Sequence, residues 1–170
     1  MQRLILAGAE EALAKLLRSS NPTAAQMATT GLWECWFNER GLKARKLLES
    51  GSDALGRNDL AGAEKAFGEA MKRYPGWTEA INKFATALFM QGNAERSLEL
   101  ANYVVIVKPH HFGAWNGMAM AAVQLEQWET AHEAILQALE LQPRSELNRE
   151  LFRYIRERAP HVCQSRKEAS

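Results

Sequence analysis

The side chains of this 170-residue chain that could do chemistry are its four histidines, its two cysteines and a scatter of carboxylates. His110 and His111 are adjacent. A pair of imidazoles can open a metal site, but no cysteine or carboxylate lies at ligand spacing beside this one. The expected role is that of loop histidines which hydrogen-bond the start of the next helix. His132 stands beside Glu133 in a helical stretch and reads as a surface residue. Cys35 and Cys163 are far apart and form no CxxC, which excludes a disulfide framework and a zinc site of the usual ligand count. Cys35, between Trp33 and Trp36, reads as buried and inert. No nucleophile motif and no glycine-rich phosphate loop is present. The residues therefore read as those of a non-enzyme with no cofactor and no metal.

Composition narrows the class further. Apolar residues make up 46% and charged residues 24% of the chain, as in ordinary globular domains. A net charge of +1 supplies no global field for nucleic acid or for an acidic partner. No apolar run approaches the ~20 residues that span a bilayer. The opening MQRLILAGAEEALAKLL is charged and amphipathic rather than signal-like. The expectation is a soluble protein of a reducing compartment, either the cytoplasm or an organelle interior such as the plastid stroma, with no membrane insertion.

The elements that must position any site follow from periodicity. Residues 3–18 read as a first helix, with Leu13, Leu16 and Leu17 on its apolar side. Asn21-Pro22 restarts the chain into a second helix over 23–38, whose apolar side includes Leu32, Trp33, Trp36 and Phe37. Gly41 ends it. Pro75, Pro109 and Pro143 then fall 34 residues apart and close three units, 44–77, 78–111 and 112–145. Numbered so that the proline is position 32, position 8 is Gly51, Ala85 and Ala119, and position 20 is Ala63, Ser97 and Ala131. Position 24 is Phe67, Ala101 and Ile135, and position 27 is Ala70, Val104 and Ala138. Antiparallel helices approach to ~8–10 Å only where small residues sit at the crossing. Each unit thus reads as a helical hairpin, broken at its end by proline. Unit two inverts large and small at Ala101 and Val104, with Phe84, Phe89 and Tyr103 expected to fill the volume. Residues 145–159 read as a capping helix, because Arg153 stands where a fourth unit needs a small residue. The tail 160–170 reads as disordered.

This layout resembles the tetratricopeptide repeat (TPR) family over residues 44–143. With LWECWF ahead of the repeat and the run INKFAT…VKPHHFGA, the chain is similar to small TPR proteins of bacteria and plastids. The resemblance implies an all-α superhelix of three repeats, with residues 1–41 as a degenerate N-terminal hairpin. Two tryptophans cannot serve as small contacts, so this hairpin is expected to cap the N-terminal end with aromatic bulk. The resemblance also implies a concave groove lined by positions 2, 5, 9, 12 and 13. Those positions are Arg45, Leu48, Ser52, Leu55 and Gly56 in unit one, and Glu79, Asn82, Thr86, Phe89 and Met90 in unit two. Unit three contributes Gly113, Asn116, Met120, Val123 and Gln124. Asn82 and Asn116 can donate and accept towards an extended peptide, over an adaptable floor of Phe89, Met90 and Met120. Otherwise they bridge neighbouring helices, and the N-terminal helices or the tail fill the groove in cis.

The resemblance implies a non-enzymatic scaffold or adaptor that binds a peptide or subunit, in assembly of a larger complex. The places where chaperone-binding members clamp a terminal dicarboxylate hold Leu48, Ser52, Lys83, Gly113 and Gly117, which provide one cation. That mode is not expected. The alternative is a structural or self-associating protein that uses exposed aromatics such as Trp128. RNA binding ranks below both: pentatricopeptide proteins lack this closing proline, and the arginines after Pro143 alternate with glutamates as on a solvated face.

Overall fold

The computed structural model describes residues 2–164, which form ten helices and no strand. They are α1 (Gln2–Leu16), α2 (Pro22–Asn38), α3 (Leu42–Gly56), α4 (Leu60–Arg73), α5 (Thr78–Met90), α6 (Ala94–Val107), α7 (Phe112–Gln124), α8 (Trp128–Leu141), α9 (Glu146–Arg158) and α10 (Pro160–Gln164). Among the described residues, no helix is long and apolar enough to cross a membrane.

The 34-residue period is written into the backbone. The turn inside each hairpin places Asn58, Gly92 and Glu126 in the left-handed region, at φ 59°, 85° and 56°. Asp59 and Asn93 then cap the following helices by accepting from Gly62 N and Arg96 N. At the other end, the N–H groups of Tyr74, Lys108 and Gln142 close the last turns onto Ala70, Val104 and Ala138. Packing repeats in the same register. Ala63, Phe67 and Ala70 are fully buried in unit one, and Ala131, Ile135 and Ala138 in unit three. At Gly51 an added Cβ would overlap the Phe67 ring, so the α3–α4 crossing requires glycine.

The C-terminal expectations change in two places. α9 packs on α8, with Ile155 buried and Arg153 exposed beside Glu146. Residues 160–164, however, are a short helix rather than disordered chain. It folds back on α8 and α9 and buries Val162. The remainder of the tail lies outside the described residues. His132 is buried rather than on the surface, and its ring stacks on Phe152 at 5.8 Å.

The N-terminal hairpin of α1 and α2 does more than cover the first unit. α2 runs along the ends of all three units, meeting Trp77 after the first, His111 and Phe112 after the second and Gln142 at the close of the third. Trp77 Nε1 donates to the Trp36 carbonyl at 2.9 Å. His111 stacks on Trp36 at 4.0 Å, and Phe112 packs on Trp33 and Trp36. Gln142 donates to Thr29 Oγ1 at 3.2 Å, and the Arg144 guanidinium donates to the carbonyls of Ser19 and Ser20 at 2.6 Å. An end cap would reach unit one alone; these contacts make α2 a lengthwise brace. Truncating Trp36, which is fully buried, should cost about 3–5 kcal/mol. A urea titration of Trp36→Ala should show a correspondingly lowered midpoint, and an unchanged midpoint would refute the brace.

Candidate functional site

The groove is built from α3, α5 and α7, and α2 lies across their N-terminal ends. Glu34 and Asn38 of α2 hold Arg45, whose Nη1 is 2.7 Å from Glu34 Oε2 while its Nε is 2.6 Å from Glu49 Oε1. Trp33 fills the space beside Gly113, where a Cβ would come within 2.7 Å of the indole. Lys83 Nζ lies over the rings of Trp33 and Phe37, 5.3 Å from each centroid.

Two expected groove residues are corrected. Leu48 is fully buried in the core of unit one, between Ala44, Ala63 and Phe67, and faces no ligand. Glu79 is also fully buried; its Oε2 sits 3.0 Å from His111 Nε2. His111 Nδ1 accepts from Ala114 N at 3.1 Å and caps α7. The ring's proton is therefore on Nε2, donated to Glu79. This is the loop-histidine role expected of the pair, with the carboxylate partner supplied by a residue far away in sequence.

The rest of the groove stays open. A cavity of about 240 Å³ lies between α5, from Asn82 to Met90, α7, from Gly113 to Met120, and Ser97 and Ala101 of α6. It brings together Asn82, Thr86, Phe89, Met90, Asn116 and Met120, six of the expected groove residues. Asn116 also bridges helices, donating to Asn148 Oδ1 at 2.8 Å. Ser52 and Leu55 are half-buried on α3, Val123 packs against the core of unit three, and Gln124 and Gly56 are exposed at helix ends. A larger hollow of about 720 Å³ lies against α2; its described walls, including Pro22, Met27 and Thr30, come from that one helix.

Ser97 and Ala101 of α6 also line the groove cavity and were expected only as packing residues. The signal was the inversion in unit two: Ala101 stands where Phe67 and Ile135 fill the neighbouring units. Tyr103 does not take up that volume as expected; it points outwards and is 45% exposed. Phe84 packs between the first two units, and Phe89 forms a wall of the cavity without filling it.

No family model matches the chain. A TPR repeat-containing protein of Rhizobium etli is 26% identical over 110 residues, which is 65% of this chain and 54% of the relative, so the chain spans about half that protein's length. Among solved structures, the Sgt2 TPR domain from Aspergillus fumigatus superposes with a TM-score of 0.67 at 19% identity, covering 72% of this chain and 82% of that one. The first TPR of Spaghetti (RPAP3), bound to the HSP90 peptide SRMEEVD, gives 0.67 at 20% identity over 69% of this chain and 94% of that one. The Arabidopsis OM64 TPR domain gives 0.65 at 16% identity over 68% and 95%. These likenesses show the fold: the chain is an all-α TPR superhelix.

The brace that narrows the groove is held by a charged cluster at its outer side. Trp36 Nε1 donates to Glu10 Oε1 at 2.9 Å, His110 Nε2 is 2.6 Å from the same oxygen, and Lys108 Nζ lies 3.1 Å from both Glu10 and Glu39. Burial opposes ionisation of Glu10. The His110 bond, the Lys108 charge and the Trp36 bond together outweigh it and lower the carboxyl from 4.5 to about 2. A lowered folded-state value contributes stability above the unfolded value and loses it as pH falls through the folded one. Stability should therefore drop between pH 4.5 and about 2. Thermal melts of Glu10→Gln should lack this part of the acid sensitivity; identical pH profiles for the two proteins would refute the assignment.

Proposed function

We propose that this TPR chain is a non-enzymatic scaffold that holds a segment of another protein in its concave groove, in assembly of a larger complex. The observation that carries this reading is the convergence of Asn82, Thr86, Phe89, Met90, Asn116 and Met120 on one open cavity. Amides beside apolar walls suit an extended segment, whose backbone needs donors and acceptors while its side chains need dry surface. The His111–Glu79 pair, the most enzyme-like constellation, is sealed from solvent and reaches no substrate.

The partner differs from the acidic peptide bound by the RPAP3 domain. Lys83, the one cation at a clamp position, is covered by Trp33 and Phe37 and lies 3.8 Å from Glu79 Oε1. No charged side chain lines the cavity, whereas dicarboxylate capture needs several convergent cations. Phosphate contacts need cations as well, which weighs against RNA.

A second reading, self-association, has its own observation. Tyr103, Ile106 and Val107 form an exposed apolar stripe on α6, where unit one has Glu69, Lys72 and Arg73. Light scattering at micromolar concentration separates the readings: a monomer removes self-association. The groove is tested with Thr86→Arg, which places a charge in its mouth at an exposed helical position. Recovery of a partner in an affinity pull-down should fall about tenfold or more relative to the unaltered chain, with the melting temperature unchanged. Undiminished recovery would overturn the groove assignment.

A further inference from the structure

We infer that the groove cavity of unit two receives a single aromatic side chain with a hydrogen-bonding edge, tyrosine or tryptophan, presented by the bound protein segment. This rests on the groove reading above and specifies the occupant.

The cavity arises from one missing side chain. Phe67 of unit one and Ile135 of unit three are fully buried at the place that Ala101 holds in unit two. Units two and three even share the facing residue, Ala85 and Ala119. The bulk is shifted instead to Val104, which packs in the second core cluster and is absent from the cavity wall. Gly113 and Gly117 keep the α7 side of the cavity low, and nothing lies within 4 Å of where a Gly117 side chain would begin.

Size and chemistry select the occupant. A cavity of about 150 Å³ can accept a benzene ring, and whole small-molecule sites begin near 300 Å³. At about 240 Å³, this one fits a single large side chain. Its walls carry no charge, so a charged anchor would lose hydration without recompense. Two polar groups nevertheless face it. Ser97 is 2% exposed and lines the cavity. Asn82 is 7% exposed, and its amide reaches only Glu79, at 3.5 Å. A pure hydrocarbon would cover both without offering either a hydrogen bond, at a desolvation cost. A phenol hydroxyl or an indole N–H fills the same volume and bonds one of them.

The test uses the full chain with isotope-labelled methionine methyls, titrated with the N-acetyl amides of tyrosine, tryptophan, phenylalanine, leucine and glutamate. Met90 and Met120 should shift saturably with the tyrosine and tryptophan amides. The phenylalanine and leucine amides should bind about fivefold more weakly, the value of one neutral hydrogen bond, and the glutamate amide should not bind. Ala101→Ile, which copies unit three, should raise the melting temperature and abolish the shifts. Ser97→Ala should bring tyrosine down to the affinity of phenylalanine without relying on a filled core. The inference is overturned by absence of saturable shifts, by phenylalanine binding as tightly as tyrosine, or by undiminished binding to folded Ala101→Ile. Partner recovery lost in Thr86→Arg but kept in Ala101→Ile would sink the anchor and leave the groove. Recovery kept in both would sink the groove.

Discussion

Two helices can touch only where neither carries bulk at the crossing, and the rest of this structure depends on that exclusion. Gly51 against Phe67 is its extreme form: a single added methyl group has nowhere to go. Because each hairpin obeys the same exclusion at the same register, left-handed turns and helix ends recur every 34 residues. Stability in such a stack is largely a sum of nearest-neighbour contacts, so one unit can depart from the pattern without unravelling the others. Unit two does so at Ala101 and Val104, and the departure leaves a hollow on the concave side instead of a defect in the stack.

The hairpins were legible in the sequence because proline spacing, small-residue crossings and turn residues are local signals that agree with one another. Asn21 and Asn93 cap the helices that such residues predict. Asn82, Thr86, Phe89, Met90, Gly113, Asn116 and Met120 meet at one cavity for the same reason, since a fixed register carries a position from one unit to the next. The path of α2 was not. Bulk at Trp33 and Trp36 announces burial but not the surface that provides it, and Trp77, His111 and Arg144 bear no periodic relation to those residues. Leu48 and Glu79 were misread because register names a face of the helix but not its depth. Glu79 is sealed from a distance, by His111 and the aromatic layer over it. Val162 and His132 belong to the same class, as their covering elements lie outside the repeat.

The brace and the cavity divide one concave surface between them. α2 takes the N-terminal ends of α3, α5 and α7, where Arg45 and Gly113 meet Glu34 and Trp33. The cavity adjoins it, running from Gly113 and Asn82 to Met120 and Met90. The end of the concave surface beside α2 is thereby closed, and Arg45 and Lys83 there are held by contacts within the chain. On the groove reading proposed above, α2 limits the surface that a bound segment can reach.

The brace also sets an order of events at the ribosome. Each hairpin closes on its sequence neighbour and can form as soon as it emerges, in the manner of low-contact-order folds. Residues 22–38 emerge before any of these hairpins, yet their partners extend to Gln142. The first-made helices are thus the last to find their complete seat. Until then Trp33 and Trp36 are without the aromatic layer that covers them, and unit three has no bond to the start of the chain. Completion of the last repeat, rather than of the first, is the step that locks the amino-terminal end in place.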